Sequence, residues 1–230
     1  NIYKEYFTED QLSKSTKQAI RTARNKGVEV IFGGTELLDE FAALMKKTEA
    51  RKGIHLRGKD YYEKLLTTYA GQSYITLSRI NLSQRLTSLE NQLEKNLLEV
   101  SRFNEKTKPG KIDNNRQEKE RLEEEIQFLK QALEAGKETV SLPGTLTLEY
   151  GSTSENVYAG MDENFRRYQP AILTWYETAQ HAFDRGADWQ NMGGVENQLD
   201  GGLYHFKSKF NPMIEEFVGE FNLPTSMLYP

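Results

Sequence analysis

Two short stretches carry the side chains with which this chain could do chemistry. The first is "GLYHFKSKF", Gly202 to Phe210, where Lys207 stands between Phe206 and Phe210. An ammonium flanked by aromatic rings acts in a partly dehydrated setting, where its charge is worth more than in bulk water. Such a group could stabilise a negative charge placed beside it. The plainer alternative is a surface lysine capping a short helix. Lys209 is the internal comparison, because two residues on it faces elsewhere on a helix. The second stretch is "LRGKDYY", with Arg57 ahead of Tyr61. A planar guanidinium can grip an anion through two parallel N–H bonds. The plainer alternative is a loop arginine before a helix.

A third feature is electrostatic. Lys14, Lys17, Arg21 and Arg24 recur at steps of three and four with no acid between them. That spacing gathers them on one helix stripe, where like charges cost stability. A solvated face is the ordinary explanation, and an anionic partner is the interesting one. Other chemistries are excluded. The chain has no cysteine, hence no disulfide, thiolate zinc site or cysteine nucleophile. Its three histidines, His55, His181 and His205, are scattered, so no metal site is expected and none reads as a general base. The formal charge of -4 argues against a strong, nonspecific binder of nucleic acid.

The elements that must position these residues can be read from pattern. The 230 residues are 37% hydrophobic and 28% charged, more polar than an average compact domain. The polar excess is local. From Leu82 the apolar residues fall at Leu86, Leu89, Leu93, Leu97, Val100 and Phe103, in steps of four and three. "KTKPGK" breaks the pattern at Pro109–Gly110, and Leu122, Ile126, Leu129 and Leu133 resume it. This predicts an antiparallel coiled-coil hairpin over 80–138, with limbs of about 20 to 25 residues projecting some 30 to 40 Å.

Around the arm the pattern is mixed. Thr8 with Gln11 has the form of a capping box opening a helix that stops at Gly27. Val28–Phe32 and "SYITLSRI" read as strands, and "TELLDEFAALMKK" and "GKDYYEKLLTTY" as helices. "VSLPGTLTLEY" reads as a strand or a strand pair turned at Pro143–Gly144, and "ENVYAGMD" as a further strand. A helix carrying Pro170 near its start, the short strand "ADWQNMGG", the helix "GLYHFKSKF" and a last strand "MIEEFVGEFNLP" complete the chain. The fold class is therefore α+β: a body made of 1–79 and 139–230, interrupted by the arm. No apolar run approaches the roughly 20 residues that span a bilayer, and no signal peptide is visible, so a cytoplasmic location is expected.

These pieces occur in a familiar order. "KSTKQAIRTARNKGVEV", the hairpin, "GSTSENVYAGM", "WQNMGGV" and "GGLYHFKSKFNPMIEEFVGEFNLP" together resemble the Fem family of peptidoglycan aminoacyltransferases over nearly the whole chain. The most diagnostic part is Gly202, Leu203, Phe206, Lys207 and Phe210, followed by Gly219, Glu220 and Phe221. The resemblance implies an acetyltransferase-like (GNAT-like) subdomain with its inserted arm, matching the second of the family's two subdomains, with the first one absent from this sequence. It implies transfer of an amino acid from aminoacyl-tRNA to the stem-peptide amine of a lipid-linked or UDP-linked precursor, with no cofactor beyond that co-substrate. It places the important lysine at Lys207, a substrate contact at Phe206 beside it, phosphate contacts at Arg57 and Tyr61, and Tyr158 on the same cleft. Lys14, Lys17, Arg21 and Arg24 become candidates for precursor phosphates or tRNA, and the cytoplasmic membrane face becomes a peripheral docking surface. Two other classes compete. A coiled-coil module that binds a partner or tRNA without catalysis would need no Phe206–Lys207. An ordinary acetyltransferase would need a glycine-rich pyrophosphate loop led by Arg or Gln, and neither Gly33–Gly34 nor Gly193–Gly194 has one.

Overall fold

A computed structural model describes residues 1–196, 198–216 and 218–219. Among them, six strands form one sheet in the order β1-β6-β5-β4-β3-β2. The strands are β1 (Ile2–Tyr3), β2 (Val28–Gly33), β3 (Ser73–Asn81), β4 (Thr139–Tyr150), β5 (Thr153–Met161) and β6 (Trp189–Asn191). Only the β5–β6 pair is parallel; its neighbours pair antiparallel. The helices are α1 (Lys14–Asn25), α2 (Leu38–Lys52), α3 (Lys59–Thr68), α4 (Leu82–Val100), α5 (Pro109–Glu134), α6 (Pro170–Asp184) and α7 (Gly202–Lys207). None is long and apolar enough to cross a membrane.

Period-two alternation along β3 assigns the two faces of the sheet. Ile75 and Leu77 pack with Phe41, Leu44 and Met45 of α2 and Tyr62 and Leu66 of α3. Ile80 packs on the opposite face with Ile20 and Ala23 of α1 and Ile172, Leu173 and Ala179 of α6. The α6 face of the sheet also carries buried hydroxyls: Ser78 meets Thr174, and Thr145 meets Thr178.

The α4–α5 hairpin leaves and re-enters the sheet at one point, since Asn81 and Thr139 are register partners on β3 and β4. Asn81 also caps α4, its Oδ1 accepting the Gln84 N–H at 2.9 Å. Near the body Leu82 and Leu89 bury against Leu122, Ile126 and Leu129. Toward the tip the predicted seam is not kept. Leu97 and Val100 are 47% and 44% exposed, and the buried contact is an amide pair instead. Asn96 donates to the Asn115 carbonyl at 3.1 Å, and Asn115 returns a bond at 3.4 Å.

Other expectations are corrected by local chemistry. The Thr8–Gln11 box opens only a single 3-10 turn, and Thr8 makes no side-chain cap. Helix α1 starts later, capped by Ser13, whose hydroxyl accepts the Thr16 N–H at 3.2 Å. Ser13→Ala is expected to lower stability by about 1 kcal/mol, read as a lower urea midpoint at unchanged slope. Pro143–Gly144 makes no turn: β4 runs straight through. A bulge against β3 between Leu77 and Arg79 accommodates Pro143, which has no N–H to give to a ladder. Pro109 opens α5 rather than ending a helix, because its fixed φ suits the first helical position. Gln169, at φ 54°, separates a 3-10 turn (Glu163–Tyr168) from α6, where one helix was expected. Of the expected last strand, the described residues 213–216 and 218–219 are in no strand, and its remaining residues, with Glu220 and Phe221, lie outside the described ones.

Candidate active site

Helix α7 is a short helix held on three sides. Glu196 caps its start, accepting the N–H groups of Leu203 at 3.2 Å and Tyr204 at 3.3 Å. Backbone N–H groups, its own first and then that of Leu203, hold the Glu196 carboxyl below the usual carboxylate range. Gly201 lies so close to this carboxylate that a Cβ there would stand 2.3 Å from Cδ of Glu196. On the body side Phe206 meets Trp175 of α6, with ring centroids 5.5 Å apart, and Phe210, at 5.7 Å. The aromatic pair therefore fastens α7 to the core, and Phe206 does not line the cavity described next.

Lys207 turns away from those rings. It is 7% exposed, and its Nζ donates to the carbonyls of Gly193 at 3.0 Å and Gly194 at 2.6 Å. Burial pushes its pKa below the ordinary lysine value, and the Glu196 charge opposes that shift. A lysine has three N–H donors, so one remains after the two carbonyls are served. Lys207 borders a cavity of about 700 Å³, lined also by Glu155, Asn191, Gly193, Gly194 and Tyr204. Gly193 has φ 77°, a backbone conformation that favours glycine. The carbonyl pair orients the Lys207 amine, which sits short of solvent at the rim of a concavity.

A second group forms under α3. Arg57 lies over the Tyr61 ring at 5.2 Å, and Tyr61 meets Tyr158 edge-on at 6.2 Å. Tyr62 packs 5.1 Å from Tyr158 and 5.3 Å from Phe41. Burial drives the Tyr62 phenol up to about 12, and burial with the Tyr61 hydroxyl raises Tyr158. The structure thus brings Arg57, Tyr61 and Tyr158 together on the α2–α3 face. Lys207 sits instead beyond the C-terminal end of β6, and β5 links the two groups: Glu155 lines the cavity and Tyr158 lies three residues on.

The basic stripe is divided. Arg24 bonds Glu177 at 2.7 Å and stands 3.7 Å from Glu9, while Lys17 donates weakly to the Asp10 carbonyl. Lys14 and Arg21 are exposed. His181 stacks on Phe32 at 3.9 Å, away from the cavity, and burial lowers its pKa. Among the described residues no cluster of three or more metal-ligating side chains occurs. Sequence reasoning missed Glu196, whose capping role depends on a loop closing back over α7. It also missed the buried amides of Asn156 and Gln190, joined at 2.8 Å beneath the β5–β6 pair.

The order of motifs and this geometry meet in one comparison: the FemAB family model matches residues 1–230. The chain belongs to the FemAB family. Relatives of this FemAB protein include the lipid II:glycine glycyltransferases of Staphylococcus aureus strains USA300 and MRSA252. Each is 25% identical over 229 residues, covering 93% of this chain and 54% of the relative. A crystal structure of FemX has a similar fold, with a TM-score of 0.61 at 22% identity over 88% of this chain and 55% of that one. The FemAB chain thus spans about half the length of the curated relatives it matches.

Proposed function

We propose that this FemAB chain carries the acyl-transfer site of a non-ribosomal aminoacyltransferase, which moves an amino acid from aminoacyl-tRNA to the stem-peptide amine of a peptidoglycan precursor. The observation that carries this reading is Lys207: a buried ammonium with one spare donor on a large cavity, in a family whose relatives include lipid II:glycine glycyltransferases. The acceptor amine, in its neutral form, adds to the ester carbonyl carbon. The carbonyl oxygen takes the negative charge, and Lys207 faces it. The carbon–oxygen bond to the tRNA ribose then breaks, the ribose oxygen takes a proton, and an amide remains. No covalent enzyme intermediate or further cofactor is required. The proton from the attacking amine passes to water or to a substrate group, since no histidine lines the cavity. Charge stabilisation in a dehydrated site is the principal term the protein supplies.

In this reading the body, 1–79 with 139–230, is a GNAT-like subdomain, and residues 80–138 form its coiled-coil arm. The protein works in the cytoplasm at the membrane face, on a lipid-linked or nucleotide-linked acceptor. Arg57 is the candidate for the precursor diphosphate, stacked and held by Tyr61. Arg57→Ala is expected to raise the precursor KM about tenfold, the worth of a charge-assisted bond, and to leave the aminoacyl-tRNA KM unchanged. The reading itself is tested by transfer of a labelled amino acid from charged tRNA to lipid-linked and UDP-linked precursors, using the full-length protein. Transfer to either supports it. No transfer from any charged tRNA would overturn it and leave the arm as an interaction module.

A further inference from the structure

Lys207 and Lys209 are two residues apart and have different surroundings. Lys207 turns inward to Gly193 and Gly194. Lys209 is exposed and lines a separate groove of about 340 Å³ against α1. Two bonds fix this segment: the Thr16 hydroxyl of α1 donates to the Lys209 carbonyl at 3.1 Å, and the Asn211 amide to the Gln11 carbonyl, in the 3-10 turn before α1, at 3.3 Å. Ser15, Gln18 and Thr22 form one wall of the groove, and Arg167 and Gln169 form the other. The Arg167 guanidinium is steadied 4.8 Å over the Phe128 ring. Its carboxylate partner Glu124 is 3.6 Å away and 74% exposed, so that pair is weak.

The lining has a chemical meaning. Two cations, three hydroxyls and two amides converge, and among the described residues no carboxylate lines the groove. Arginine, lysine, hydroxyl and amide donors are the set that grips phosphate oxygens of a nucleic-acid backbone. The groove lies on the α1–α6 face of the sheet, whereas Arg57, Tyr61 and Tyr158 lie on the α2–α3 face. A precursor held at Arg57 would approach from the opposite face. An RNA end whose ester lies at Lys207 would have its next nucleotides beside the same short helix, next to Lys209.

We propose that the groove between α1 and the Arg167–Gln169 turn holds a backbone phosphate of the RNA co-substrate, with Arg167 and Lys209 as its cations. This rests on the aminoacyl-tRNA reading above. The test uses the full-length protein and uncharged tRNA, with fluorescence anisotropy over a salt series. Arg167→Ala and Lys209→Ala are each expected to weaken binding and to lower the slope of log affinity against log salt by about 1. The precursor KM and the thermal midpoint stay at wild-type values, and Lys209→Arg restores binding. Unchanged affinity and slope in both variants, with an active wild type, would sink the groove alone. A raised precursor KM with intact RNA binding would also overturn the proposal and give the groove to the precursor's phosphates. A wild type that neither binds tRNA nor takes an amino acid from it would bring down the aminoacyl-tRNA reading and the groove with it.

Discussion

Lys207→Ala in the full-length protein is expected to cut amino-acid transfer at least about a hundredfold, since removing one oxyanion donor typically costs that much. The loss should fall on kcat, because the charge it neutralises exists only after attack. The fold should survive. Truncation strands the carbonyls of Gly193 and Gly194, but it also removes an ammonium whose burial already lowers its pKa. These two effects oppose each other, so the thermal midpoint should move little beside the change in rate. The pH dependence gives an independent sign. Lys207 must be charged to act, so activity should fall as pH rises through its lowered pKa, below the ordinary value of 10.5. Stability runs the other way. The unfolded lysine binds its proton more tightly than the folded one, so stability rises with pH between the lowered value and 10.5. Lys207→Met should abolish that rise. Wild-type transfer rates in Lys207→Ala would refute the assignment, and a large drop in thermal midpoint with retained kcat would make Lys207 a structural strut.

How much of this was legible follows from where the information lies. Lys207, Arg57 and Tyr61 were singled out by the family resemblance of the stretches that carry them. The structure places Tyr158 against Tyr61 through the packing of α3 on β5. The role of Phe206 depended on which way a short helix rolls: it packs on Trp175 from across the chain, a contact that nothing within its own stretch could indicate. Glu196 was invisible for the same reason. Local signals failed where two meanings share one residue type. Pro143–Gly144 and Pro109–Gly110 both read as breaks, yet one is absorbed by a bulge and the other starts a helix. The heptad steps along α4 continue to Val100, but they do not reveal that Asn96 and Asn115 take over the seam. Strand β1, two residues long, is below what periodicity can detect.

The base of the arm carries the other large effect. Arg85 and Glu125 have side chains only 5% and 3% exposed, and the guanidinium donates twice to one Glu125 oxygen, at 3.0 and 2.8 Å. Arg121 takes the second oxygen at 3.1 Å. Arg85 also lies 5.9 Å over the Tyr168 ring of the body, which joins the arm to the 3-10 turn ahead of α6. Burial alone would raise the Glu125 pKa, but the bonds and charge of Arg85 outweigh it and hold the carboxyl below the ordinary 4.5. Glu125→Ala leaves a buried guanidinium unpaired and is expected to cost about 3–5 kcal/mol. Arg85→Met with Glu125→Leu removes both charges and should regain most of that loss, because a buried pair contributes little net stability over apolar residues of similar size. Acid separates the variants further. The wild-type carboxylate contributes stability that is fully present above 4.5 and lost as pH falls through its lower folded value, and the double variant lacks that limb. Urea unfolding of the three proteins at pH 7 and in acid checks both statements. A single Glu125→Ala within about 0.5 kcal/mol of wild type would mean that water reaches Arg85, and that apolar packing of Leu82, Leu89 and Leu129, rather than this ion pair, sets the angle of the arm.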